Sequence, residues 1–307
     1  MFKVFIDGSA GTTGLRIRGM LEARADVTLV TLPEPLRKDA SARRDALCGA
    51  DVAFLCLPDD AAREAAALAE DADTIIIDAS TAHRTAAGWA YGFPELSAAH
   101  RAAIAHGKRI ANPGCYASGF IAVVYPLIAA GVAARDYPFV CHAVSGYSGA
   151  GKKGIAEYEA SDRPAGYDTP RLYALSQQHK HLPEMKAVCG LARTPVFDPY
   201  ICDYACGMTV TVPLFADMMA QRLTPAGLEE LYRTHYASQR FVRVLRQEEG
   251  YLSADSLNGT NNLEIIVSGN DERLLLTARL DNLGKGASGA AIQNMNIALG
   301  LDEGISL

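Results

Sequence analysis

The 307-residue chain contains no CxxC pair, and its seven cysteines, at positions 48, 56, 115, 141, 189, 202 and 206, are odd in number. Cys202 and Cys206 stand four apart with no second pair to match them. The pattern argues against a structural zinc site and against a disulfide framework, and no metal is expected. The thiols suit a reducing cytoplasm in which most are buried and one is reactive. The chain also lacks a surplus of positive charge. Its formal net charge of −6 argues against a general nucleic-acid binder, which usually shows a basic face. It lacks a long hydrophobic run as well, although 49 % of its residues are hydrophobic. The longest apolar stretch, Phe120 to Val132, is too short and too interrupted to span a bilayer. The opening MFKVFIDG enters a strand at once, without the charged, apolar and small-residue order of a leader. Internal repeats and low-complexity linkers are absent too. A soluble cytoplasmic protein is expected, with one large or two medium domains.

The first 114 residues alternate between two patterns. Val4–Ile6, Val27–Leu32, Val52–Leu57 and Thr74–Asp78 read as short buried strands, and residues 14–24 and Ala61–Asp71 read as helices. That alternation predicts a parallel α/β sheet. After Asn112-Pro113-Gly114 comes an apolar helix from about Cys115 to Ala130. Longer strands follow at Phe139–Val144, Met208–Leu214, Phe241–Val244, Asn262–Ser268 and Leu274–Leu280. This second region reads as α+β with a mixed sheet. The tail from about Ala287 to Gly300 is helical and is expected to return to the first domain.

Gly8-Ser9-Ala10-Gly11-Thr12-Thr13-Gly14 lies between the first strand and the first helix, with GxxGxxG spacing. Glycines there permit a tight turn and close approach of backbone N–H groups to a pyrophosphate, and the helix N-terminus favours the anion. The end of the second strand reads Thr31-Leu32-Pro33-Glu34-Pro35-Leu36-Arg37-Lys38. Glu34 suits the ribose hydroxyl of NAD, whereas Arg37 and Lys38 suit the 2′-phosphate of NADP. The segment leaves both open.

Cys115 falls in the first turn of the apolar helix, where the dipole and free N–H groups favour a thiolate and lower its pKa. That is what a nucleophilic cysteine requires. Further on, Gln178-His179-Lys180-His181-Leu182-Pro183-Glu184-Met185 is dense in titratable groups. Pro183 fits a first helical position and Glu184 the first turn, so a helix begins here with both histidines just ahead of it. A neutral imidazole in that place suits a base. The two rings are expected on one side if the segment is extended.

Two more loops have the small residues and lysines of an anion site: Ser145-Gly146-Tyr147-Ser148-Gly149-Ala150-Gly151-Lys152-Lys153 and Asn282-Leu283-Gly284-Lys285-Gly286-Ala287. The first is not a P-loop, because Lys153 stands where a magnesium-holding Ser or Thr is needed.

Taken in order along the chain, the GSAGTTG loop, Asn112-Pro113-Gly114-Cys115-Tyr116-Ala117, the Ser145–Gly151 loop, His179–Glu184, Leu257-Asn258-Gly259-Thr260-Asn261 and Asn282–Ala287 resemble the N-acetyl-γ-glutamyl-phosphate reductase family in its shorter form. The likeness runs from residue 6 to about 296. Its one departure is Ser118, where the family usually has Thr. The wider group includes aspartate-semialdehyde dehydrogenases.

The resemblance implies a Rossmann domain at 1–114 and 285–307 and a catalytic and oligomerisation domain at 115–284. It implies NADP(H) as cofactor, a small-molecule substrate, and a homotetramer or homodimer without nucleic-acid or membrane partners. The implied reaction is reductive dephosphorylation of N-acetylglutamyl phosphate through a Cys115 thioester, in arginine biosynthesis. His179 or His181 serves as the base, with His179 the first choice. Gly8, Ser9, Gly11, Thr12, Thr13, Gly14, Arg37, Asn282 and Lys285 are expected at the cofactor. Asn112, Ser145, Gly149, Lys152 and Glu184 are expected at the substrate. The rival readings are a sister dehydrogenase acting on aspartyl phosphate and a non-catalytic NADP(H) sensor.

Overall fold

Short runs of β-branched and aromatic residues form the first six strands: β1 (Phe2–Asp7), β2 (Val27–Val30), β3 (Val52–Leu55), β4 (Ile75–Asp78), β5 (Ala90–Tyr91) and β6 (Arg109–Ala111). A computed structural model describes residues 1–307. It divides by contact into one unit of Met1–Gly114 with Ala287–Leu307 and another of Cys115–Gly286.

In the first unit every strand pairing is parallel, in the order β2-β1-β3-β4-β6-β5. Helices α1 (Thr12–Glu22), α2 (Ala40–Cys48), α3 (Asp59–Leu68) and α4 (Ala98–His106) make the crossovers. Asp39 and Ser97 start α2 and α4 by accepting the N–H of Ala42 and of His100. Parallel sheets are covered on both faces, so β3 is buried throughout. Alternate side chains feed two apolar layers. Val4, Phe54 and Ile77 meet Ile17 and Leu21 on one side, and Phe5, Leu55 and Ile76 meet Leu47 and Ala62 on the other. The C-terminal helix Gly289–Ala298 supplies Ile292 and Met295 to the first layer.

The second unit has a seven-stranded sheet made of β7 (Val140–Gly146), β8 (Arg171–Leu172), β9 (Val196–Cys202), β10 (Met208–Phe215), β11 (Val242–Arg246), β12 (Leu263–Gly269) and β13 (Arg273–Leu280). The order is β11-β12-β13-β10-β7-β9-β8, with β7/β9 and β11/β12 parallel and the rest antiparallel. Its helices are α5 (Cys115–Ala129), α6 (Gly151–Glu159), α7 (Leu182–Cys189) and α8 (Pro225–His235). The almost wholly buried α5 packs on β10, β12 and β13.

The structure adds one strand and changes one local reading. Val196–Cys202 is a strand, although Asp198 and Pro199 interrupt its apolar alternation. Pairing with β7 on one side and β8 on the other overrides that local signal. Residues 151–153 are helical rather than a loop, so Lys152 stands exposed in the first turn of α6.

Candidate functional site

Within the first unit, β1 ends on Asp7 and the chain turns at Gly8, whose φ is +83°. A Cβ there would lie 2.3 Å from the Cys56 carbonyl oxygen, so only glycine fits. Gly11 caps α1 without a side-chain acceptor, which leaves the first-turn N–H groups at Thr12, Thr13 and Gly14 for an anion. The Thr12 hydroxyl is buried and has no hydrogen-bond partner in the protein. From Gly8, Ser9 and Ala10 a cleft of about 270 Å³ continues between apolar walls of Phe5, Leu29 and Leu57 to Arg18, Arg37 and Lys38. Glu34 is not among its lining residues. Asp7 is the one carboxylate in the lining, and Arg43 already holds it at 2.9 Å. Donors, an orphan hydroxyl, an apolar slot and three cations match a dinucleotide bearing an extra phosphate.

Within the second unit, Cys115 is the first residue of α5 and is partly exposed. Its neighbour Tyr116 is buried and collects a ring of side chains from distant segments. His179 and His181 lie at 5.9 Å between ring centroids, Phe197 at 5.2 Å and Tyr173 at 6.4 Å. Burial pushes the Tyr116 and Tyr173 hydroxyls above their usual range, and a charge on Cys115 adds to both shifts, so these phenols stay neutral. Burial also pushes the Cys56 thiol up to about 12 and the Cys141 and Cys189 thiols higher still, which makes those three inert.

The two histidine rings are 4.8 Å apart and perpendicular. The segment is not extended, contrary to the condition set from periodicity. His179 O accepts the Leu182 N–H, and His181 is helical in backbone (φ −87°, ψ −13°) as the N-cap of α7. The turn brings the rings together instead. It also fixes a tautomer, because the His181 backbone N–H donates to His179 Nδ1 at 3.2 Å. An amide can only donate, so neutral His179 carries its proton on Nε2. Glu184 is buried in the first turn of α7.

The loop after β13 is shaped by Asp281, which the motif reading passed over. Its carboxylate accepts the N–H of Leu283 and of Gly259, both at 2.8 Å, in an Asx turn. An acidic residue at the head of a glycine-rich loop was the available signal. The turn carries Gly286 against the start of α5, where an added Cβ would lie 2.7 Å from Cys115 Cβ. Asn282 uses its amide within the unit, donating to Ser148 Oγ at 2.9 Å and accepting the Gly207 N–H at 2.8 Å. Gly149 lies against that amide, where an added Cβ would be 3.4 Å from Asn282 Nδ2 and 3.9 Å from Ser145 Oγ. Lys285 is buried, with Nζ 5.8 Å from the Phe241 ring centroid. No cluster of three His, Cys, Asp or Glu side chains is placed to hold a metal ion, and no helix is long and apolar enough to cross a membrane.

Comparison with known proteins matches residues 3–104 to the NAD-binding domain of semialdehyde dehydrogenases and residues 115–282 to their dimerisation domain. Among curated proteins, N-acetyl-gamma-glutamyl-phosphate reductase 2 of Nostoc sp. is 46 % identical, with 99 % of each chain aligned. The N-acetyl-gamma-glutamyl-phosphate reductase of Burkholderia orbicola is 45 % identical over 97 % of each. Among solved structures, aspartate semialdehyde dehydrogenase II of Vibrio cholerae superposes with a TM-score of 0.71 at 16 % identity, covering 97 % of this chain and 98 % of that one. The aspartate semialdehyde dehydrogenase of Candida albicans, solved with NADP, gives 0.72 at 15 % over 97 % and 98 %. At that identity the likeness concerns the fold alone.

Proposed function

Because this chain belongs to the N-acetyl-gamma-glutamyl-phosphate reductase family, we propose that it reduces N-acetyl-γ-glutamyl phosphate to the 5-semialdehyde with NADPH, in the cytoplasm and in arginine biosynthesis. The observation that carries the reading is a partly exposed thiol at a helix head, beside a buried tyrosine that gathers two histidines.

The first unit binds the coenzyme along the Gly8–Gly14 loop, with Arg37 and its cationic neighbours on the 2′-phosphate. When bound, NADPH supplies the hydride that reduces the thioester carbon. The second unit does the covalent work. Cys115 loses its proton to a histidine and attacks the acyl carbon. The S–C bond forms, the C–O bond to phosphate breaks, and phosphate leaves. After reduction, the thiohemiacetal oxyanion collapses to the aldehyde, and the C–S bond breaks with return of the thiolate. First-turn N–H groups of α5 are the natural donors for that oxyanion.

The tautomer supports His181 as the base and His179 as a donor to substrate oxygen, the reverse of the first choice made from sequence. Ser145, Gly149, Lys152 and Glu184 remain the candidates for the substrate side, and Lys285 for an anionic group of either ligand. The engaged amide of Asn282 favours a brace for the Ser148 loop over a direct cofactor contact.

The reading includes a homodimer or homotetramer. Register puts Val140, Thr211, Phe215 and Leu275 on the sheet face opposite α5, and Phe215 and Leu275 are exposed there. That face belongs to the region matching the family's dimerisation domain. The seven free thiols suit a reducing cytoplasm.

The test runs the reaction backwards: phosphate-dependent reduction of NADP with N-acetylglutamate semialdehyde and with aspartate semialdehyde. Activity with the acetylated substrate alone is expected. Activity with aspartate semialdehyde alone would overturn the substrate, and activity with neither, in protein that binds NADP, would overturn catalysis.

A further inference from the structure

Asn112, three residues ahead of Cys115, was expected to touch substrate. It is 1 % exposed, and every polar group it has is engaged inside the first unit. Its N–H donates to Asp78 O at 2.8 Å, at the end of β4. Its carbonyl accepts Arg84 Nε at 2.9 Å. Its side-chain oxygen accepts Asn294 Nδ2 at 3.1 Å, and its own Nδ2 donates to Ala287 O at 2.9 Å. Both ends of the side chain are thus tied to the first unit, and turning the amide towards a ligand would break two buried hydrogen bonds.

The partners are fixed in turn. Arg84 Nη2 also donates to Ala79 O at 3.3 Å, and Asn294, fully buried on the C-terminal helix, also donates to Gly92 O at 2.9 Å. The peptide held by Asn112 Nδ2 directly follows Gly286, the residue packed against Cys115 in the second unit.

We infer that Asn112 is a positioning residue: with Arg84 and Asn294 it clamps the Asn112-Pro113-Gly114 turn, the backbone to which Cys115 is directly joined. The inference rests on the reading of Cys115 as nucleophile. Two of the three clamp residues lie far from Cys115 in sequence, and the clamp gives the C-terminal helix a part in the chemistry beyond filling the core.

The test is Asn112→Ala, read by steady-state kinetics and by the pH dependence of Cys115 alkylation with iodoacetamide. A misplaced thiol lowers kcat by about 100-fold. Both KM values stay near wild type, and alkylation becomes slower with its pH midpoint displaced. A raised substrate KM at unchanged kcat would overturn the inference in favour of a substrate contact. Should Asn112→Ala fail to fold, Arg84→Lys keeps the charge, loses the forked grip and leaves a partly buried site to adjust. Unchanged alkylation and kcat in folded Arg84→Lys would equally overturn it. The alkylation assay needs no turnover, so failure of the nucleophile reading, seen as full activity in Cys115→Ser, is told apart from failure of the clamp.

Discussion

The backbone N–H of His181 donates to Nδ1 of His179, across 3.2 Å and one turn of chain. This bond makes two adjacent imidazoles chemically unlike, because it commits one nitrogen of His179 and leaves the proton on the other. His181→Asn is therefore expected to lower kcat by about 10²- to 10⁴-fold, the usual share of a general base. His179→Asn is expected to act mainly on the substrate KM. The pH profile of kcat/KM separates the two: its acid limb disappears in the His181 variant and survives in the His179 variant. The opposite pattern would return the base to His179.

Cys115→Ser is expected to abolish turnover while NADPH binding, followed by quenching of protein fluorescence, stays intact. A serine hydroxyl in the same place keeps the volume but lacks the thiolate's nucleophilicity at neutral pH. Substantial residual turnover would contradict covalent catalysis.

The parts of the site legible in sequence were local ones. Gly8–Gly14 and Cys115 each sit where a strand or turn meets a helix, and neighbouring residues announce it. Pro183 and Glu184 likewise mark the start of α7, within one residue of its first position at Leu182. What the sequence did not disclose depends on pairing over distance. Tyr173 and Phe197 reach Tyr116 only because β9 lies beside β8 and β7, and β9 was itself hidden by Asp198 and Pro199. The bonds from Asn294 and Arg84 to Asn112 span 182 and 28 residues, and no periodicity reports them.

Coenzyme choice is expected to follow the cations of the first-unit cleft. On the proposed reading, Arg37→Ala is expected to remove a charge-assisted contact of about 1.5–3 kcal/mol with the 2′-phosphate, which corresponds to roughly 10- to 100-fold. The KM for NADPH should rise by that factor while kcat/KM for NADH stays the same. Arg18 and Lys38 line the same cleft, so their alanine variants should move the NADPH-to-NADH ratio in the same direction. A parallel fall with both coenzymes would assign these residues to the shared part of the dinucleotide instead.

Gly286→Ala inserts a methyl group 2.7 Å from Cys115 Cβ and 3.2 Å from Asp281 O. Neither neighbour is the end of a flexible side chain, so the thiol or the Asp281 turn must shift. A displacement of that kind is expected to lower kcat by about 100-fold. NADPH affinity should be nearly unchanged, which separates this effect from a general loss of structure. Normal kinetics in the variant would show that the loop yields without moving Cys115.

The ion pair Arg43–Asp7 joins α2 to the end of β1, with both side chains almost fully buried. Burial raises the Asp7 carboxyl above its ordinary 3.8 even though Arg43 pulls it down. Arg43→Met would leave that carboxylate buried and uncompensated, a loss of about 3–5 kcal/mol at neutral pH. The sign of the pH dependence follows from linkage. In the variant the folded-state carboxyl rises further above the unfolded value. Below the unfolded value both states are protonated, and the penalty vanishes. As pH climbs past it, the unfolded chain ionises first and the folded state loses ground until its own carboxyl ionises. Urea unfolding of wild type and Arg43→Met should therefore give a stability gap that widens from pH 4.5 to pH 7. A gap independent of pH would mean that Arg43 acts through packing of its aliphatic stem rather than through the charge on Asp7.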